Sequence, residues 1–84
     1  MARIIDSNEK NLIGSNLKNI RKKQHMSQQE LADKLETLAI YICRGSISRI
    51  EDKSRTVTDI ELYGLSKILG VSIDSLFELP LEDN

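Results

Sequence analysis

The chain has 84 residues, the size of one domain, and its apolar (39%) and charged (30%) fractions exclude a disordered chain. A lone cysteine, Cys43, excludes an internal disulfide, and the longest apolar run, six residues, is too short for a membrane span. We therefore expect one domain over residues 1–84, without signal peptide, in a reducing, cytoplasmic compartment. Its core should cover about residues 8–78, between a short leader and a tail.

The net charge is −1, but the charges are unevenly distributed along the chain. Residues 10–25 carry five cations and no acid, and residues 44–55 carry four cations and two acids. Residues 59–84 carry six acids and one cation. Because local potential acts at contact distance, the basic part can face an anionic partner, although solvated helix faces would show the same pattern.

Frequent leucine and isoleucine with few aromatic residues favour an all-helical fold. A first helix is predicted over residues 8–24. Asp6 or Ser7 is its expected N-cap, with Glu9 completing a capping box with Asp6. Its apolar stripe comprises Ile13, Leu17 and Ile20.

A second helix begins at the capping box formed by Ser27 and Glu30. Its expected apolar face comprises Leu31, Ala32, Leu35 and Leu38. The end of this helix is open, because residues 38–42 are apolar on all sides. They could extend the helix, cross the core as a strand-like turn, or form a surface for a partner.

A third helix is predicted over residues 44–51, with Ile47 and Ile50 pointing inward. The fourth begins at the capping box of Thr58 and Glu61 and ends at Gly70. Its stripe comprises Leu62, Leu65 and Leu69, and Gly64 inside it indicates close helix packing.

A short fifth helix follows, capped by Ser72 and covering residues 73–78. Leu76 and Phe77 are expected to anchor it, and Pro80 to end it. Residues 81–84 are expected to form a loose tail.

Three stretches together resemble the phage-repressor and Cro-type helix-turn-helix family. They are IGSNLKNIRKKQHMSQQELADKL, RGSISRIE and VTDIELYGLSKILGVSIDSLF, which span most of the chain in the family's order. The resemblance implies a compact five-helix, all-α bundle of the lambda-repressor-like type. Its second and third helices would form the helix-turn-helix, and the third would lie in the DNA major groove.

By position, the resemblance assigns DNA-contacting roles to three groups of residues. The start of the second helix would contact phosphates, the third helix would read base edges, and the loop after it would touch the backbone. The matching residues are, in that order, Ser27, Gln28 and Gln29; Arg44, Gly45, Ser46, Ser48 and Arg49; Lys53 and Arg55. Arg44 and Arg49 project about 140° apart on a helix, so we expect Arg49 to read a base and Arg44 to contact the rim. Arg21 and Glu51 match an internal ion pair.

Two departures from the family's pattern stand out. About five extra residues separate Leu35 from Ile47, which leaves the angle between the second and third helices open. The residue before the third helix is Cys43, where serine or threonine is the better N-cap.

The resemblance implies a regulator, with repression as the favoured role, that binds an operator in double-stranded DNA as a homodimer. Dimerisation could use Leu76, Phe77, Leu79 and Leu81, or Tyr41 and its neighbours. The alternative is a protein-interaction module, antitoxin-like or scaffold-like, without specific DNA binding. We expect no enzymatic activity, cofactor, metal or small-molecule ligand, because a single histidine and a single cysteine give neither a catalytic constellation nor a ligand set.

Overall fold

The computed structural model describes residues 8–77, and this part of the chain is all-α, as predicted. Within it no helix has the length and apolar content needed to cross a membrane. The described helices are α1 (Gly14–Lys23), α2 (Gln28–Glu36), α3 (Arg44–Glu51), α4 (Asp59–Leu69) and α5 (Ile73–Leu76).

The five helices close around one apolar core. Its members are Ile13, Leu17, Leu31, Ala32, Leu35, Ile42, Ile47, Ile50, Leu65, Leu69 and Leu76. The predicted stripes are confirmed, with Ile20 and Leu62 packed at the core's edge. The prediction for Leu38 was wrong: its side chain is 43% exposed, because α2 ends before it.

The start of α1 also differs from the prediction, since the helix begins at Gly14 rather than at residue 8. The Asn11 side chain is the reason. Its Oδ1 accepts hydrogen bonds from the amides of Ile13 (3.1 Å) and Gly14 (2.9 Å). Its Nδ2 donates to the carbonyls of Ile50 (3.1 Å) and Arg55 (2.8 Å), which ties the start of α1 to the end of α3. The expected caps, Asp6 and Ser7, lie outside the described residues.

Of the three predicted capping boxes, the two that lie within the described residues are present. Ser27 Oγ accepts from the Glu30 amide at 2.9 Å, and the Glu30 carboxylate accepts from the Ser27 amide at 2.8 Å. Thr58 and Glu61 make the same reciprocal pair at the start of α4, with both distances 3.1 Å. These local bonds set where α2 and α4 begin, independently of tertiary contacts.

α5 is shorter than expected, ending at Leu76 after its cap at Ser72. Leu76 is fully buried, so the prediction that it forms a dimer surface was wrong, whereas Phe77 is 38% exposed. The other predictions for this end lie outside the described residues. They are the stop at Pro80, the tail at residues 81–84 and the dimer surface at Leu79 and Leu81.

The segment between α2 and α3 is an extended connection that touches the core. The side chain of Ile42 is buried and that of Ile40 packs on the core, whereas Tyr41 between them is 77% exposed. A Cβ at Gly64 of α4 would collide with the Ile40 side chain, which confirms the close packing predicted there. Of the three alternatives, the helical extension was wrong and the segment matches the strand-like crossing, whereas its use as a surface for a partner stays a prediction.

Each of α1 to α4 ends with one residue in the left-handed conformation. The next amide then reaches back five residues to a carbonyl, at 2.9–3.1 Å, as in a Schellman motif. The left-handed residues are His25 (φ 57°), Ala39 (φ 63°), Lys53 (φ 66°) and Gly70 (φ 68°). Only the last is the residue type that adopts this conformation without steric cost.

We expect Ala39→Gly to raise the free energy of unfolding by about 1 kcal/mol, because glycine removes the Cβ strain at positive φ. Thermal or urea unfolding followed by circular dichroism measures this change. The matched reversal is Gly70→Ala, which should cost about 1 kcal/mol, since its Cβ would meet no atom within 4 Å and only the strain remains. Stabilisation by both substitutions, or by neither, would contradict the left-handed conformation assigned to Ala39 and Gly70.

Candidate nucleic-acid interface

One buried carboxylate joins α1, α2 and α3. Arg21 Nε and Nη2 donate to the two Glu51 carboxylate oxygens at 2.6 and 3.0 Å, and the side chains are only 8% and 3% exposed. Gln28 Nε2 donates to the same Glu51 at 2.9 Å, and Arg21 Nη1 donates to the Met26 carbonyl at 2.6 Å. The ion pair that the resemblance implied is therefore confirmed.

This network holds the angle between α2 and α3 despite the long connection between them. Gln28 is the first residue of α2 and Glu51 the last of α3, so their hydrogen bond fixes the distal ends of the two helices together. The extra residues bulge toward α4, where Ile40 packs against Gly64, instead of separating the pair. The helix-turn-helix arrangement therefore survives the lengthened turn.

The outward face of α3 carries residues expected to read bases. Ile47, Ile50 and Glu51 are buried on one side of the helix, and the exposed residues of the other side span an arc of about 140°. Arg44 and Arg49 lie at its two edges, with Gly45 and the half-buried Ser48 between them. A Cβ at Gly45 would meet only the ends of the Arg49 and Cys43 side chains, at 3.7 and 3.9 Å. The face thus combines two cations with a centre that carries no side chain at Gly45.

Ser46 organises the first turn of α3. Its Oγ accepts from Arg49 Nη2 at 3.1 Å, so the guanidinium of Arg49 lies back over the start of the helix. The thiol of Cys43 lies 3.5 Å from the same oxygen. Hydrogen bonding by the Ser46 side chain and then its backbone holds the pKa of the exposed Cys43 thiol below its usual value, and the Arg49 charge adds to this. Cys43 makes no side-chain cap, as its poor capping ability predicts.

The start of α2 lies beside α3. Its capping box uses the Glu30 amide, which leaves the amides of Gln28 and Gln29 at the positive end of the helix dipole. The Gln29 side chain bonds Asp33 Oδ1 at 2.9 Å, and that of Gln28 is engaged by Glu51. Backbone groups, more than these two side chains, are therefore available to a phosphate here.

The two cations after α3 are engaged within the protein. Arg55 forms a two-pronged ion pair with Glu61 at 2.9 and 3.0 Å, and these hydrogen bonds lower the pKa of the Glu61 carboxyl. Lys53 Nζ lies 3.5 Å from Glu9, with its side chain largely covered. Their role as DNA-backbone contacts stays a prediction, and the geometry favours it less than it favours Arg44 and Arg49.

Sequence reasoning missed the role of Asn11 near this face, and it named Tyr41 only as a candidate dimer or partner surface. Asn11 holds the chain after α3 in place through its side-chain hydrogen bonds. The sequence feature that could have indicated this role is an asparagine shortly before the apolar stripe of α1. Tyr41 lines a shallow cleft together with Gln29, Cys43 and Arg44, beside the start of α3. Within residues 8–77, no cluster of His, Cys, Asp and Glu has an arrangement that could hold a metal ion.

Comparison with known proteins supports the geometry. The model of a helix-turn-helix family of the Cro/C1 type matches residues 17–76, which is most of the chain and includes α2 and α3. A search of curated proteins finds no significant match. The chain therefore belongs to the Cro/C1-type, phage-repressor-like helix-turn-helix family of DNA-binding transcription regulators.

Proposed function

We propose that this protein recognises a specific operator in double-stranded DNA and represses transcription there as a homodimer. The outward face of α3 supports the proposal: Arg44 and Arg49 flank Gly45, on a helix whose other face is held by the Arg21–Glu51 ion pair. A major groove about 12 Å wide admits such a helix. Repression needs only that the bound protein occlude the promoter.

Arg49 is the proposed base reader. Its planar guanidinium can donate two hydrogen bonds to O6 and N7 of guanine, and its internal partner is one exposed hydroxyl, Ser46 Oγ. Arg44, at the other edge of the arc, would contact the rim or a phosphate. Gly45 would let the backbone approach the bases closely, and the amides of Gln28 and Gln29 would hold a phosphate.

Selection of bound duplexes from a randomised pool tests the proposal, with the wild type and Arg49→Ala run in parallel. We expect the wild type to enrich a two-fold-symmetric site, and Arg49→Ala to lose about 1–3 kcal/mol of discrimination at particular bases. Lys34→Ala is the matched control, because Lys34 is exposed on α2 away from α3 and should leave the selected site unchanged. Failure of the wild type to enrich any site would refute the proposal.

A second candidate is a protein-interaction module, and the exposure of Tyr41 (77%) and Leu38 (43%) favours it. Under this alternative the chain binds duplex weakly, without sequence preference and indifferently to Arg49. The salt dependence of duplex binding counts the phosphates contacted under either candidate, with a slope of about −0.9 per phosphate, so the sequence preference and the effect of Arg49→Ala are what separate the two.

A further inference from the structure

An unpartnered apolar face lies on α4, away from the helix-turn-helix. Ile60 is 65% exposed and Tyr63 is 55% exposed, which places them among the most exposed large apolar side chains of the described chain. α4 packs mainly on α2 and α5 through its opposite side, where Leu65 and Leu69 are buried. Apolar side chains clustered on one helix face are typical of an interaction surface.

The charged neighbours of these two residues share the same face. Asp59, Ile60, Tyr63 and Lys67 fall within an arc of about 100° around α4, and all four are exposed. The Lys67 ammonium lies 5.2 Å from the centre of the Tyr63 ring, which confirms that these two side chains lie together. We call these four residues the α4 face.

The charges of the α4 face are arranged symmetrically about its centre. Asp59 lies four residues before Tyr63, and Lys67 lies four residues after it. In a two-fold contact each residue meets its counterpart reciprocally, and an antiparallel helix pair would centre on Tyr63. Each Asp59 would then face the Lys67 of the other copy, while Ile60 and Tyr63 would fill the middle. A parallel pairing would instead bring like charges together.

We propose that the α4 face is the dimer interface, and that its occupant is the α4 face of a second copy of this chain. Of the other exposed apolar residues, Tyr41 lies beside Arg44 at the start of α3, so covering it would obstruct the surface proposed for DNA. The α4 face leaves that surface open. Its use in placing two copies of α3 on two half-sites rests on the proposed function.

A contact of one helix from each copy is small, below about 1,200 Å² in total, which fits a reversible dimer. Sedimentation analysis of the DNA-free protein over a concentration series tests the interface. We expect a monomer–dimer equilibrium for the wild type. Lys67→Asp places an acid opposite Asp59 twice in each dimer, so dimerisation should weaken about tenfold or more. Asp59→Lys should weaken it similarly.

The charge swap Asp59→Lys/Lys67→Asp restores both opposite-charge pairs, so its dimerisation should return to within about threefold of the wild type. Loss of folding cannot produce this rescue, and circular dichroism checks each variant. Lys34→Asp, an exposed charge reversal on α2, should leave the equilibrium unchanged. Ile60→Ser should weaken it without changing any charge.

Two results would overturn the interface: a wild type that stays monomeric at every concentration, or a dimer that neither the charge reversals nor Ile60→Ser weakens. The second result would indicate that the dimer forms through another exposed apolar residue, Phe77 or Tyr41. Because these measurements contain no DNA, they are independent of the proposed function. If the interface fails while the duplex selection succeeds, the operator is read without it. If the interface holds and the selection fails, the dimer serves another role.

Discussion

Replacing Arg21 with methionine is expected to lower the free energy of unfolding by about 3–5 kcal/mol. The substitution keeps the aliphatic volume but leaves Glu51 as a buried charge whose side chain is 3% exposed. Gln28 remains as its neutral hydrogen-bond partner, and it cannot replace a cation. A domain of this size has a total stability of only about 5–15 kcal/mol, so urea unfolding should show a large shift of the midpoint.

Two further variants make this expectation specific. Lys22→Met changes the neighbouring exposed residue and should stay within about 0.5 kcal/mol of the wild type. Arg21→Met/Glu51→Leu removes both charges, and it should be more stable than Arg21→Met alone because no unpaired charge remains. A double variant less stable than Arg21→Met would contradict the central role of the unpaired carboxylate.

Gly14→Ala is the second substitution with a large expected effect. A Cβ at Gly14 would collide with the Ile50 carbonyl oxygen and lie 2.9 Å from that of Glu51, and neither backbone oxygen can rotate away. The first turn of α1 would have to move off the end of α3, at a cost of about 1–3 kcal/mol. Thermal unfolding measures the loss.

The matched control is the same substitution at Gly45, and its expected sign is opposite. Gly45 lies in α3, where the nearest atom to an added Cβ is Arg49 Nη1 at 3.7 Å. Alanine there should stabilise the helix by about 0.5–1 kcal/mol. Under the proposed function it should also weaken operator binding, since the methyl group would separate the backbone from the bases. Equal effects at the two glycines would contradict the close approach of α1 to α3.

Local patterns in the sequence were enough to predict most of the fold. The capping boxes at Ser27 and Thr58 act within three residues, and Gly70 supplies its own left-handed conformation, so these helix ends could be read from neighbouring residues. The same reading failed at the start of α1. There Asn11 bonds carbonyls 39 and 44 residues away, and no local pattern carries that information.

The conformation of the connection after α2 could not be predicted from the local sequence either. α2 ends because Ala39 adopts the left-handed conformation, and alanine gives no signal for that. Ile40 then packs on Gly64, a contact set by the position of α4 rather than by the apolar run itself. The exposure of Leu38 follows from this early helix end.

For the candidate interface, the sequence predicted which residues lie on α3 but not what they touch. The ion pair between Arg21 and Glu51 came from the family resemblance, and the third member of the network, Gln28, appeared only in three dimensions. The pairing of Arg55 with Glu61 likewise depends on how the loop turns back onto α4. Such pairings decide which cations remain available to a phosphate.

That α3 enters the major groove is tested most directly by nuclear magnetic resonance of the complex with the selected duplex. We expect intermolecular nuclear Overhauser contacts between the side chain of Arg49 and major-groove base protons, together with contacts from the Gly45 Hα atoms, whereas Arg44 should contact sugar protons at the rim of the groove. Contacts confined to the minor groove, or arising only from residues outside α2 and α3, would contradict the assignment of α3 as the recognition helix.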